Sequence, residues 1–221
     1  MRNLKKVMRY VIAPVVFALL GYIFIIVALS PIIKITEAVG GMLVKDSAPN
    51  FNTGLSVIYD PEAHKELTSP EISFSQIQFP SKGEQYANIS CEEIGLDAPL
   101  YWGDSDTILK YGVGQYTGSY IPGYGKLLFL AAHNTTYFNC LQNAAEGQEV
   151  TITTNYGVFK YEIYKLEVIN AKQADKLYET WVTGTEETLM MYTCYPFENA
   201  YGFKTDRLFV FAKKVSGPVL V

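Results

Sequence analysis

The side chains able to act as nucleophile, base or oxyanion donor are few: Cys91, Cys140 and Cys194, His64 and His133, and Arg207 late in the chain. A transferase or hydrolase built on cysteine needs a thiolate, a proton-transferring partner and a donor for the developing oxyanion. Cys194 ends the apolar run Thr188–Thr193 and is followed by Tyr195, Pro196 and Phe197. Proline two residues on halts a strand, so the sulfur is expected at a rim and not in mid-sheet. His133 ends the run Leu127–Ala132 and precedes Asn134, Thr135 and Thr136; a strand end that projects a titratable group into a loop is a common way to place a general acid or base. Arg207 opens the run Leu208–Ala212 after the loop Glu198–Asp206. His64, between Ala63 and Lys65 in a proline-punctuated stretch, reads as a solvated loop residue. Taken singly, each of the others also has an ordinary reading: an inert buried thiol, a structural histidine, an arginine paired with Asp206 beside it.

The elements that must position these groups are short apolar stretches separated by turn chemistry: Tyr86–Cys91, Leu100–Trp102, Lys126–Ala132, Glu149–Thr154, Val158–Ile169, Thr188–Thr193 and Arg207–Val215. Phe159, Tyr161 and Ile163 alternate with Lys160, Glu162 and Tyr164, the period of a strand with one dry face. Asp106–Tyr111 and Tyr137–Ala145 are short helical candidates. Six or more strands in this span imply a mainly all-β, closed or nearly closed barrel. No pair of cysteines has the close spacing a structural zinc needs. Glu92, Glu93, Asp97, Asp104 and Asp106 lack the ligand spacing of a calcium loop. No metal and no cofactor are expected.

In combination, His133, then Thr188-Leu189-Met190-Met191-Tyr192-Thr193-Cys194, then Arg207 resemble the signature of the sortases: a strand-end histidine, a T-L-x-T-C-like strand some sixty residues on, and an arginine opening the next strand. Gly112-Val113-Gly114-Gln115-Tyr116 with Pro122-Gly123, and the segment Leu141–Thr153, resemble other stretches of that family. The likeness runs from about residue 78 to residue 215 and includes the N-terminal anchor described below. Thr193-Cys194-Tyr195-Pro196-Phe197 is most similar to the class D branch. Ala132 stands where many members have glycine, and Asn134 where arginine or histidine is common. The resemblance implies a closed sortase-type β-barrel of about eight strands with short helices. It also implies a cysteine transpeptidase with Cys194, His133 and Arg207 as its catalytic side chains. Its partners would be secreted proteins bearing an LPXTG-like sorting signal, together with an amine from a cell-wall precursor or a pilin. The N–H of Tyr195 is a candidate second oxyanion donor. Two other readings carry different tests: an L,D-transpeptidase-like enzyme, whose S-H-G-C-type motif is absent, and a membrane-tethered β-barrel binding module without chemistry.

Location is read from the N-terminus. Arg2, Lys5, Lys6 and Arg9 precede an uncharged run from Tyr10 to Ile33 with a strongly apolar centre, Val11 to Leu29. Nineteen helical residues extend about 28 Å, close to the hydrocarbon thickness of a bilayer, and a cleavable leader has a shorter apolar core. The basic flank places the N-terminus inside. The expected order is a cytoplasmic leader (1–9), one transmembrane helix (10–33), a juxtamembrane stalk or wrap-around segment (34–77) and the catalytic barrel (78–221). The barrel would be extracytoplasmic on a single-pass cell-membrane protein. Eighteen Lys and Arg against 22 Asp and Glu leave a net charge of −4, without a basic patch beyond the leader, which argues against nucleic-acid binding.

Overall fold

A computed structural model of the chain describes residues 15–22, 55–60, 62–63, 69–173, 183–184, 186–198 and 204–221. His64, Trp181 and most of the expected anchor lie outside them. Residues 15–22 are helical and exposed, and among the described residues no helix is long and apolar enough to cross a membrane.

In the unit that follows, eight strands close into a barrel in the order β2-β3-β4-β5-β8-β9-β7-β6. They are β2 (Gln85–Cys91), β3 (Leu96–Trp102), β4 (Val113–Gln115), β5 (Leu128–Ala131), β6 (Glu149–Thr154), β7 (Val158–Asn170), β8 (Thr188–Tyr195) and β9 (Asp206–Ser216). The β3–β4 and β5–β8 pairs are parallel and the other six antiparallel.

Side chains alternate between two apolar clusters, as the period of two requires. Ile89, Leu100, Leu128, Leu130, Tyr161, Leu189, Met191, Leu208 and Val210 fill the barrel. Leu127, Met190, Phe209, Phe211 and Ile169, with Phe129, Tyr164 and Tyr192 packed against them, form a second cluster of the opposite parity. The strands β5, β8 and β9 are therefore apolar on both faces, which is why Leu127–Ala132 and Thr188–Thr193 read as continuous apolar runs and not as alternating ones.

Two features close the end of the barrel away from Cys194. Glu187, just before β8, accepts from the Tyr161 hydroxyl (2.7 Å), the Gly123 and Gly125 N–H groups (3.0 and 2.9 Å) and the Lys214 ammonium (3.4 Å). Gly123 and Gly125 both have positive φ, 92° and 76°, which glycine adopts without penalty and which brings both amides onto one carboxylate. Beside this, β1 (Glu71–Ile72) pairs in parallel with β10 (Val219–Leu220). Ile77, Ile121 and Leu220 form a small core under the pair, and Ile58 of the helix Leu55–Ile58 is also buried. Portions of the 34–77 segment thus pack on the barrel.

Several elements differ from the expected bounds. The strand β3 begins at Leu96, and its first half is masked in the sequence by Asp97 and Pro99. Pro99 pairs with Asn88 where β3 has no β4 neighbour, a place that tolerates a missing N–H. The expected helix at Tyr137–Ala145 is a 3-10 helix, Asn139–Asn143. The strand β4 has only three residues, Val113, Gly114 and Gln115, the middle three of the family-like glycine motif. A Cβ on Gly114 would meet the Gly103 carbonyl oxygen at 2.6 Å, so close backbone approach accounts for that glycine.

Candidate active site

Strand register pairs two of the predicted groups and sets the strand that leads to the third alongside. Cys194 lies directly opposite Arg207 in the antiparallel β8–β9 ladder, with Cβ atoms of such a pair about 4.5–5.5 Å apart. On the other side of β8, the parallel ladder with β5 ends at Ala131↔Tyr192. The register continues at least one step, because the Thr193 hydroxyl donates to the Ala132 carbonyl at 2.8 Å. One residue beyond that contact come His133 and Cys194, both past the last pair of the β5–β8 ladder.

Parity sets the face. Thr193 is 1% exposed and follows the interior positions Leu189 and Met191, whereas Cys194 follows Met190 and Tyr192 of the second cluster. Arg207 shares its face with Phe209 and Phe211, and His133 follows the interior residue Ala132 just past the end of β5. Cys194 and Arg207 therefore share the outer face of β8 and β9 at one end of the barrel, and His133 lies two residues past the end of the adjoining β5. All three are half-buried. The next row below is aromatic: Tyr192 stacks on Phe129 (4.9 Å between centroids) and on Phe209 (5.6 Å). Burial first, then the Asp104 charge, raise the Tyr192 phenol above its ordinary range, and Arg207 opposes them.

Arg207 is not paired with Asp206. The Asp206 carboxylate accepts from the Asn170 amide at 2.9 Å, and Arg207 Nη1 donates to the carbonyls of Lys204 and Asp206, both at 2.9 Å. Among the described residues those are its hydrogen bonds, both made by Nη1. Tyr195 stands opposite Asp206 as the last residue of β8; the Tyr195–Pro196 peptide is cis.

The other cysteines are placed differently. All three are free. Cys91 faces the barrel interior, 2% exposed. Burial, and next its contact with Glu93, push that thiol up to about 11. Cys140 packs on the core and donates to the Tyr137 carbonyl at 3.3 Å, and burial raises it as well. A thiol held protonated is a poor nucleophile.

The alternation of faces, applied to the sequence, would also have separated Thr193 from Cys194 and picked out Tyr192 as the floor beside the sulfur. The hydrogen bond from Asn134 to the Pro196 carbonyl (3.2 Å) had no comparable signal, because it joins two loops.

Comparison with known proteins agrees with this fold. Residues 89–215 match the family model described as the sortase domain. Sortase D of Bacillus subtilis strain 168 is 26% identical over 137 residues, covering 62% of this chain and 67% of that protein. Among solved structures, the sortase D5 transpeptidase of Clostridium perfringens superposes with a TM-score of 0.57 at 22% identity, over 73% of this chain and 92% of that one. Sortase C1 of Streptococcus agalactiae gives 0.52 at 26% identity, over 60% and 68%. A closed eight-stranded barrel and a domain match spanning more than half its length make this chain a member of the sortase family, the cysteine transpeptidases.

Proposed function

We propose that the chain is a membrane-anchored sortase of the class D type, which cleaves an LPXTG-like sorting signal of secreted proteins and passes the acyl group to an amine. The observation that supports the assignment of roles is the Cys194↔Arg207 pair together with the Thr193–Ala132 hydrogen bond, which ties the residue before the cysteine to the residue before the histidine. In this reading the Cys194 thiolate attacks the carbonyl carbon of the Thr–Gly bond, and the carbonyl electrons move to oxygen, where Arg207 donors hold the charge. Collapse of that intermediate expels the glycine amine, which takes a proton from His133, and leaves a thioester on Cys194. An incoming amine, from a cell-wall precursor or a pilin lysine, loses its proton to His133, attacks the thioester and releases the thiolate. Guanidinium suits the oxyanion role because its donors are fixed in a plane and always charged.

The apolar run from Tyr10 to Ile33, flanked by basic residues, supports a single-pass anchor with the barrel outside the cell. Tethering would raise the local concentration of membrane-borne substrates without any new contact.

The deciding experiment incubates the protein with an LPXTG-type peptide and an amine, and reads both product and the thioester adduct by mass spectrometry. Cys194→Ala is expected to abolish both, while Cys91→Ala and Cys140→Ala keep them. Full activity in Cys194→Ala would end the assignment.

A further inference from the structure

The strand ends carrying His133 and Cys194 are tied together on both sides of that pair. On the barrel side, the hydroxyl of Thr193, one residue before the cysteine, donates to the carbonyl of Ala132, one residue before the histidine (2.8 Å). On the loop side, Asn134, one residue after the histidine, donates through Nδ2 to the carbonyl of Pro196, two residues after the cysteine (3.2 Å). Asn134 is 5% exposed, so the amide is a buried group whose removal leaves a carbonyl without its donor.

The Asn134 backbone is itself held. Its carbonyl accepts from Asn139 Nδ2 at 2.7 Å, and Asn139 opens the 3-10 helix in which Leu141 is buried. The His133 carbonyl accepts from the N–H groups of Thr136 (3.3 Å) and Phe138 (3.2 Å), and Phe138 is fully buried in the core. The loop after His133 is thus a folded turn seated on the barrel, and Asn134 is the side chain it extends to the segment after Cys194.

We propose that Asn134 is a positioning residue: by clasping Pro196 it holds the His133 imidazole level with the Cys194 sulfur. The proposal rests on the reading that these two residues carry the chemistry. Its physical basis is the steep dependence of proton transfer and attack on geometry, where a displacement of about 1 Å can cost about 100-fold. The β5–β8 ladder stops at Ala131, so strand pairing alone leaves His133 two residues beyond its last register partner.

The test compares Asn134→Leu and Asn134→Asp, close in size to asparagine and without its N–H donor, in the full chain and again in a His133→Ala background. Single-turnover acylation by a sorting-signal peptide and steady-state kcat and KM are read. The expected result is a fall in kcat of about tenfold with KM changed less than about twofold, and less than about twofold further loss of acylation once His133 is absent. Asn139→Ala should show a smaller loss in the same direction, not additive with Asn134→Leu, and it keeps the test open if the Asn134 variants fold poorly. Unchanged kcat, or the same factor lost with and without His133, overturns the proposal, since a merely structural residue acts alike in both backgrounds. Failure of the underlying assignment would be seen separately, as activity surviving in Cys194→Ala.

Discussion

Replacing Glu187 by glutamine tests whether the fold separates its stabilising charges from its chemistry. The carboxylate accepts four hydrogen bonds, and its side chain is 5% exposed, against 15% for Lys214. Glutamine keeps one acceptor oxygen and turns an NH₂ group toward donors on the other side. It also leaves a partly buried ammonium without its counter-charge. Removing one partner of a buried pair costs about 3–5 kcal/mol. The lower end applies here, because Lys214 also donates to the Pro218 carbonyl at 2.6 Å and lies 5.3 Å over the Phe159 ring. A loss of about 3 kcal/mol lowers the melting temperature of a domain this size by about 6–12 °C, readable by circular dichroism. Seven residue steps along β8 and its approach separate Glu187 from Cys194, about 23 Å at the rise of a strand. Transpeptidation at 25 °C should therefore stay within about twofold of the parent. A melting temperature lowered by less than about 2 °C would refute the energetic argument; a fall in kcat at unchanged stability would refute the separation.

Arg207→Lys should lower kcat by about 100-fold, the size of effect seen when one fixed oxyanion donor is lost. Stability should change little, because Nη1 serves only carbonyls beside its own strand end; a peptide-cleavage assay with a parallel melting curve checks both. Alkylation with iodoacetamide at pH 8, followed by peptide mapping, should label Cys194 well before Cys91, whose thiol is held up at about 11. Because the folded value lies above that of a free thiol, about 8.5, Cys91 favours the fold at neutral pH and loses that contribution as pH rises from about 9 through 11. Cys91→Ala should accordingly flatten the alkaline limb of the stability–pH curve, and an identical limb in the variant would count against it.

Much of this was readable before any coordinates. The strand ends near His133 and Cys194 and the strand start near Arg207 are visible to within two residues, because apolar runs stop at loop residues there. The barrel class follows from the number of such runs. Less legible were elements whose reason lies elsewhere in the chain. The strands β1 and β10 have two residues each and exist only as a pair, joined across almost 150 residues by bonds such as Val219 N–H to the Pro70 carbonyl at 2.9 Å. The role of Glu187 could not be read either: next to Glu186 it looks like one more surface acid, and only the fold brings Gly123, Gly125, Tyr161 and Lys214 to it.

The double-faced strands explain how Cys194, the proposed nucleophile, can be both firmly placed and open. A strand buried on one face alone would have to put Cys194 either into the core or onto a bare surface. Here β8 inserts Leu189, Met191 and Thr193 into the barrel, while Met190 and Tyr192 pack into the outer aromatic layer. Slippage by one residue would exchange the two sets and move the sulfur inside. It would also bring Tyr192 into an interior already filled by side chains such as Leu130 and Val210. The thiol is thus held in register by the residues on either side of it, and it needs no burial of its own to be fixed in place.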